Sequence, residues 1–97
     1  GPFVVPRDAL PEPLDLALYC WVGNVHRQSS RTSSMVVDVP HAIEYLSRHT
    51  TLRPGDLIAM GTPEGVGPIQ DGDEMVCTLQ GVGLLRNRVV REATPRA

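Results

Sequence analysis

The chain has no lysine: all nine of its basic residues are arginine. That absence removes Schiff-base chemistry, a lysine general base and the lysine of a phosphate-binding loop. Aromatic residues make up only 4% of the chain, too few for a base-stacking platform, so Tyr19 and Trp21 read as packing residues. The apolar runs fall far short of the ~18 residues of a membrane span. Net charge is −2 with the charges dispersed, which leaves no electrostatic footprint for nucleic acid or anionic lipid. The opening Gly1-Pro2-Phe3-Val4-Val5-Pro6 lacks the basic and long apolar regions of a signal peptide. The two cysteines, Cys20 and Cys77, have no metal-site spacing and read as reduced, packed thiols in a cytoplasmic protein, with a disulfide as the lesser alternative.

What is present fits one small domain. A chain of 97 residues buries little more than ~60% of its unfolded surface, so its core is thin and a partner surface would help. Residues 1–13 are punctuated by Pro2, Pro6, Pro11 and Pro13 and read as extended chain and turns. From Leu14 to Val22 apolar residues alternate: Leu14, Leu16, Leu18, Cys20 and Val22 share one face of a predicted strand. Gly23-Asn24 predicts a type II′ hairpin turn, with Val25–Gln28 as the return strand. A polar connection over 29–34 leads to a short apolar strand at 35–37. Pro40 suits the first turn of a helix over about 39–50, whose apolar stripe is Val39, Ala42, Ile43 and Leu46. A strand at 57–60, a glycine-rich loop at 61–67 and a strand pair over 74–80 and 84–90 complete an α+β, mainly β domain over 1–90. Residues 91–97 are expected to be a mobile tail.

The most informative stretch is Gly61-Thr62-Pro63-Glu64-Gly65-Val66-Gly67. Its glycines permit positive φ and close approach of the main chain to a ligand, and Thr62 supplies one hydroxyl. Taken alone it is a plain turn between strands. It is not a phosphate loop or a dinucleotide fingerprint, because the Lys-Ser/Thr pair, the third glycine of the pattern and the following helix are all missing. Arg27-Gln28-Ser29-Ser30-Arg31-Thr32-Ser33-Ser34-Met35 offers polar donors suited to an anionic substrate, although taken alone a solvated connection is the better reading. His26, His41 and His49 have no ligand spacing, and Asp71, Asp73 and Glu74 read as a surface acidic turn.

Taken in order, these segments resemble the C-terminal part of the fumarylacetoacetate hydrolase family. Gly1-Pro2-Phe3-Val4-Val5 is similar to its Gly-Pro-Trp-Ile-Val segment, and Gln28 with Thr32-Ser33 and Met35 to its Arg-Gln-x-x-x-Thr-Ser-x-Met stretch. Pro54-Gly55-Asp56 followed by Gly61-Thr62-Pro63-x-Gly65-Val66-Gly67 matches its most recognisable signature, and Gly81-x-Gly83-x-Leu85-x-Asn87 its closing hairpin. The resemblance implies a mixed β-sandwich roll with one α-helix, in a homodimeric enzyme dependent on Mg²⁺ or Mn²⁺. It implies action on 2,4-diketo or 2-oxo acids by C–C hydrolysis, decarboxylation or keto-enol isomerisation, including steps of aromatic catabolism. The ion would stabilise an enolate as a Lewis acid. By carry-over, Gly61 and Thr62 would hold the oxo-acid end, with Gln28 and Thr32 as neighbours.

Departures from the family pattern bear equally on function. The family's carboxylate ligands, catalytic lysine and lid His-Glu pair lie upstream of the Gly-Pro segment. Val76 and Thr78 stand where alternating glutamates are usual, and Ser34 where an acid follows Thr-Ser. The resemblance therefore implies no catalytic or metal-ligating residue within these positions and a missing N-terminal part as partner. The chain alone is expected to be inactive and to self-associate. A non-catalytic β-rich ligand-binding or interaction module is the alternative reading.

Overall fold

The computed structural model describes residues 1–93. Four antiparallel strands form one sheet in the order β2-β1-β3-β4: β1 Ala17–Val22, β2 Val25–Arg31, β3 Glu74–Leu79 and β4 Gly83–Arg88. The helix α1, Val39–His49, lies in the long excursion between β2 and β3. The alternation along β1 behaves as its pattern requires. Leu16, Cys20 and Val22 are buried, whereas Asp15 and Tyr19 are exposed.

The β1–β2 turn departs from expectation. Gly23 has φ 56° and Asn24 φ 66°, so both central residues are left-handed and the turn is type I′ rather than II′. Asparagine tolerates that region because its short polar side chain is compatible with it. β2 also runs further than the sequence indicates, to Arg31, before a 3-10 turn at Thr32–Ser34. Thr32 closes the ladder: its N–H donates to the Leu16 carbonyl at 2.9 Å, and its Oγ1 accepts from the Leu16 N–H at 2.8 Å.

α1 forms where the cap signals place it. The Asp38 carboxylate accepts from the His41 N–H at 2.9 Å and Pro40 occupies the first turn, which satisfies donors the helix leaves open. Arg48 and His49 sit in the last turn, the favourable end for positive charge. The helix buries no residue, and Ile43, expected in its apolar stripe, is exposed.

The strands expected at 35–37 and 57–60 are absent from the described sheet. Neither run pairs with the open edges of β2 or β4 among the described residues. Val36, Val37 and Leu57 are exposed, and Ile58 and Met60 are only partly covered. These apolar runs mark surface without a partner. The Cα radius of gyration agrees: 16.2 Å, against about 12 to 13 Å for a compact domain of this length. Leu16, Cys20 and Val22 are the buried hydrophobic residues among those described, a core too small to hold four strands by itself. The tail expected at 91–97 falls largely outside the described residues, which end at 93.

Candidate active-site wall

A β-bulge builds the site. Cys20 pairs with Gln28 and Trp21 with His26, so Arg27 is the extra residue on β2. Bulges bend an edge strand and re-aim its side chains. Here the bulge lies against the glycine-rich loop. A Cβ at Gly65 would come within 2.0 Å of the Arg27 carbonyl oxygen, and one at Gly67 within 2.7 Å of Arg27 Nη1. Arg27 Nη2 donates to the Pro68 carbonyl at 3.1 Å. Gly65 is thus required by contact with backbone, whereas Gly67 meets only the movable end of the Arg27 side chain. Gly61, at φ 95°, has nothing within 4 Å of its Cβ direction: it faces open space.

Gln28, the residue after the bulge, ties the loop at its other end. Its Nε2 donates to Thr62 Oγ1 at 2.8 Å and to the Pro63 carbonyl at 2.8 Å. A carbonyl only accepts, so the amide nitrogen must be the end that points there. Both amide hydrogens are then committed. Thr62 Oγ1 accepts one of them, so its own hydrogen is directed elsewhere, and the Gln28 Oε1 keeps its acceptor capacity. The arrangement presents a hydroxyl donor oriented by a side chain that has no other donor to offer.

Thr62, Gly61 and Gln28 line a cleft of about 1370 Å³, together with Leu18, Cys20 and Leu46. That volume exceeds the ~300–1,000 Å³ of ordinary ligand pockets, and its apolar walls are the uncovered faces of the sheet and helix. Thr32 also borders it. The Thr32 hydroxyl already bridges the Leu16 N–H and, at 3.4 Å, the Leu14 carbonyl. Beside it, Asp15 accepts from Arg31 Nε at 2.8 Å and Ser33 Oγ at 2.7 Å. The Arg31 hydrogen bond foremost, and then that of Ser33, holds the Asp15 carboxyl below its ordinary value.

Among the described residues, no three His, Cys, Asp or Glu side chains cluster so as to hold a metal ion. Asp71, Asp73 and Glu74 serve other ends. Asp73 accepts from the Gln70 N–H at 2.8 Å, Asp71 from the Arg91 N–H at 2.7 Å, and Glu74 pairs with Arg86. His41 Nδ1 meets Asp38 at 2.6 Å, a capping contact, and its pKa is raised by that carboxylate. His26 stacks near Tyr19 and Trp21, with ring centroids 5.9 and 5.4 Å away. No sequence signal marked the Arg27 bulge, because a one-residue change of register leaves the polar pattern of β2 unaltered.

Residues 1–90 match the family model described as fumarylacetoacetate (FAA) hydrolase C-terminal. The chain is 44% identical to the 4-hydroxyphenylacetate degradation bifunctional isomerase/decarboxylase of Escherichia coli, over 96% of its own length and 22% of the relative's. The crystal structure of maleylpyruvate hydrolase from Sphingobium sp. SYK-6, in complex with manganese(II) and pyruvate, superposes with a TM-score of 0.89 at 42% identity, covering 93% of this chain and 34% of that one. The 2-hydroxyhepta-2,4-diene-1,7-dioate isomerase of Mycobacterium marinum gives a TM-score of 0.86 at 46% identity, over 97% of this chain and 36% of its own. The chain therefore spans about a third or less of the length of these relatives.

Proposed function

The chain belongs to the fumarylacetoacetate hydrolase family, and from that premise we propose that it supplies the wall that grips the oxo-acid end of a 2-oxo or 2,4-diketo acid in a divalent-metal-dependent enzyme. The observation that carries the reading is the Gln28–Thr62 hydrogen bond in the wall of the cleft. A threonine hydroxyl whose oxygen is already satisfied donates to an anionic oxygen, and Gly61 beside it leaves room for that group. Similarity to a hydrolase crystallised with manganese(II) and pyruvate supports a 2-oxo acid as the ligand class. The isomerase/decarboxylase and isomerase relatives extend the chemistry from C–C hydrolysis to decarboxylation and keto-enol isomerisation, and the first of them supports a place in aromatic catabolism.

The described residues do not fit a metal site. The Mg²⁺ or Mn²⁺ that the family uses would be held by residues outside this chain, in the part of the relatives that it does not span. Within this reading the chain's own contribution is binding and orientation. Thr62 donates to the acid and Gln28 holds Thr62 in place. Thr32 acts at the border, holding the ends of β1 and β2 together. The whole protein is a cytoplasmic homodimer in this reading.

Turnover of acetylpyruvate with Mn²⁺ by the complete polypeptide tests the proposal. Thr62→Val should lose most of the turnover while Thr62→Ser keeps it, and residues 1–97 alone should have none. A Thr62→Val enzyme with unimpaired kcat/KM would remove the assignment.

A further inference from the structure

Cys20 on β1 and Cys77 on β3 stand directly opposite each other in the sheet, with their Sγ atoms 3.5 Å apart. Backbone hydrogen bonds at the two ends of this ladder fix the type of pairing. Gly23 N–H donates to the Glu74 carbonyl at 3.0 Å, and Gln80 N–H to the Ala17 carbonyl at 2.9 Å. Odd-numbered β1 residues are therefore the hydrogen-bonded ones, and Cys20–Cys77 is a non-hydrogen-bonded pair. Opposing Cα atoms in such pairs lie about 4.5 Å apart, with side chains at their closest. That separation is within the ~4.4–6.8 Å a disulfide spans, at its short end.

In this chain Cys20 is buried and Cys77 exposed. Both line the cleft that contains Thr62. The cross-strand neighbour of Cys20 on its other side is Gln28, which holds Thr62. Gln28, Cys20, Cys77 and Leu85 thus form one row across the sheet.

We propose that Cys20 and Cys77, which line the cleft, are a reversible dithiol–disulfide site, oxidised by exchange with a small disulfide such as glutathione disulfide. Cys77, the accessible thiol, loses its proton and attacks one sulfur of the small disulfide, releasing one small thiol and leaving a mixed disulfide. Cys20 then loses its proton and attacks the Cys77 sulfur, releasing the second small thiol. Two protein thiols give up two electrons and two protons, and one small disulfide is reduced to two thiols. The sulfurs must close from 3.5 Å to about 2.05 Å, which side-chain rotation and a small strand shift supply. Partial desolvation, and then the Cys20 contact, raise the Cys77 thiol above its ordinary range. The first step is slow for that reason, and the site is best read at equilibrium.

The test equilibrates the complete polypeptide in glutathione buffers of rising glutathione disulfide content, quenches with acid, alkylates the free thiols and maps peptides by mass. The expected result is a linked Cys20–Cys77 peptide pair, two hydrogens lighter and without alkyl groups, that dithiothreitol returns to two alkylatable thiols. Cys20→Ser should stop at a glutathione adduct on Cys77, and Cys77→Ser should leave Cys20 free. Two fully alkylatable thiols in the most oxidising buffer would overturn the proposal, as would a wild-type adduct on Cys77 that never closes.

Discussion

The Arg27 carbonyl and Gly65 are in such close contact that a Cβ on residue 65 would sit 2.0 Å from the carbonyl oxygen. Backbone cannot move aside as a flexible side chain can, and Gly65 also has φ 106°, where a side chain is strained. Gly65→Ala should therefore cost at least about 3 kcal/mol, from strain and clash together, and lift the loop from β2. Gly55 is the control: its φ is 94° but nothing lies within 4 Å of its Cβ direction. Gly55→Ala should cost only the backbone term, about 1–2 kcal/mol. Urea denaturation of the complete polypeptide reads both, and equal losses would mean the Arg27 contact contributes nothing.

Gln28 acts on a ligand through Thr62, and that routing has a signature. Gln28→Leu removes both donors to the loop and should weaken pyruvate binding about tenfold, the loss of one to two net hydrogen bonds. Thr62→Val should weaken it at least as much. Since the first change operates by releasing the Thr62 hydroxyl, the double variant should bind no worse than Thr62→Val alone. Additive losses in titration calorimetry would mean that Gln28 touches the ligand independently.

The parts of this fold that the chain declares locally are those whose determinants are close in sequence. Alternation from Leu14 to Val22 and the Gly23-Asn24 pair specify the first hairpin, and Asp38 with Pro40 specify the start of α1. The turn is type I′ rather than II′ because Asn24, as well as Gly23, takes positive φ. Non-local features were out of reach. The pairing of β1 with β3 joins Cys20 to Cys77 across more than half the chain, and nothing near either cysteine encodes that register. The glycines of the loop were visible, but not their different duties: Gly65 and Gly67 pack on Arg27 while Gly61 faces the cleft. Thr62 and Gln28 were recognisable separately as polar residues near a ligand, and only the folded chain joins them. The apolar runs at 35–37 and 57–60 resemble strands in sequence because apolar sequence reports a need for burial without naming the element that meets it.

The Asp15 carboxylate joins the ends of β1 and β2 through Arg31 and Ser33. Its pKa is lowered, chiefly by the Arg31 hydrogen bond and then by that of Ser33. A carboxyl with a depressed folded-state pKa stabilises fully above its unfolded value and loses that contribution as pH falls through the folded value. The unfolded value here is near 3.8, so the loss occurs below about pH 4. Wild type should exceed Asp15→Asn in thermal stability at neutral pH, and the gap should close on acidification through that window. Both side chains of the ion pair are about half exposed, so raising the salt concentration should also narrow the gap. A gap constant with pH and salt would show that the carboxylate charge contributes nothing.

Isolation of residues 1–97 puts the uncovered cleft to the test. Leu16, Cys20 and Val22 are the buried apolar residues among those described, while Ile43, Tyr45, Leu57, Leu84 and Leu85 are exposed. Covering a large aliphatic or aromatic side chain is worth roughly 1.5–3 kcal/mol, and a native domain has only about 5–15 kcal/mol of net stability. Leaving several such side chains in water therefore removes an amount comparable to the whole margin. The isolated chain should bind an apolar dye, associate as its concentration rises and unfold in urea without a sharp transition. The complete polypeptide should show none of these. Sedimentation of the isolated chain as a monomer with cooperative unfolding would contradict this, and would mean that the three-residue core and the sheet ladder hold the fold without a cover.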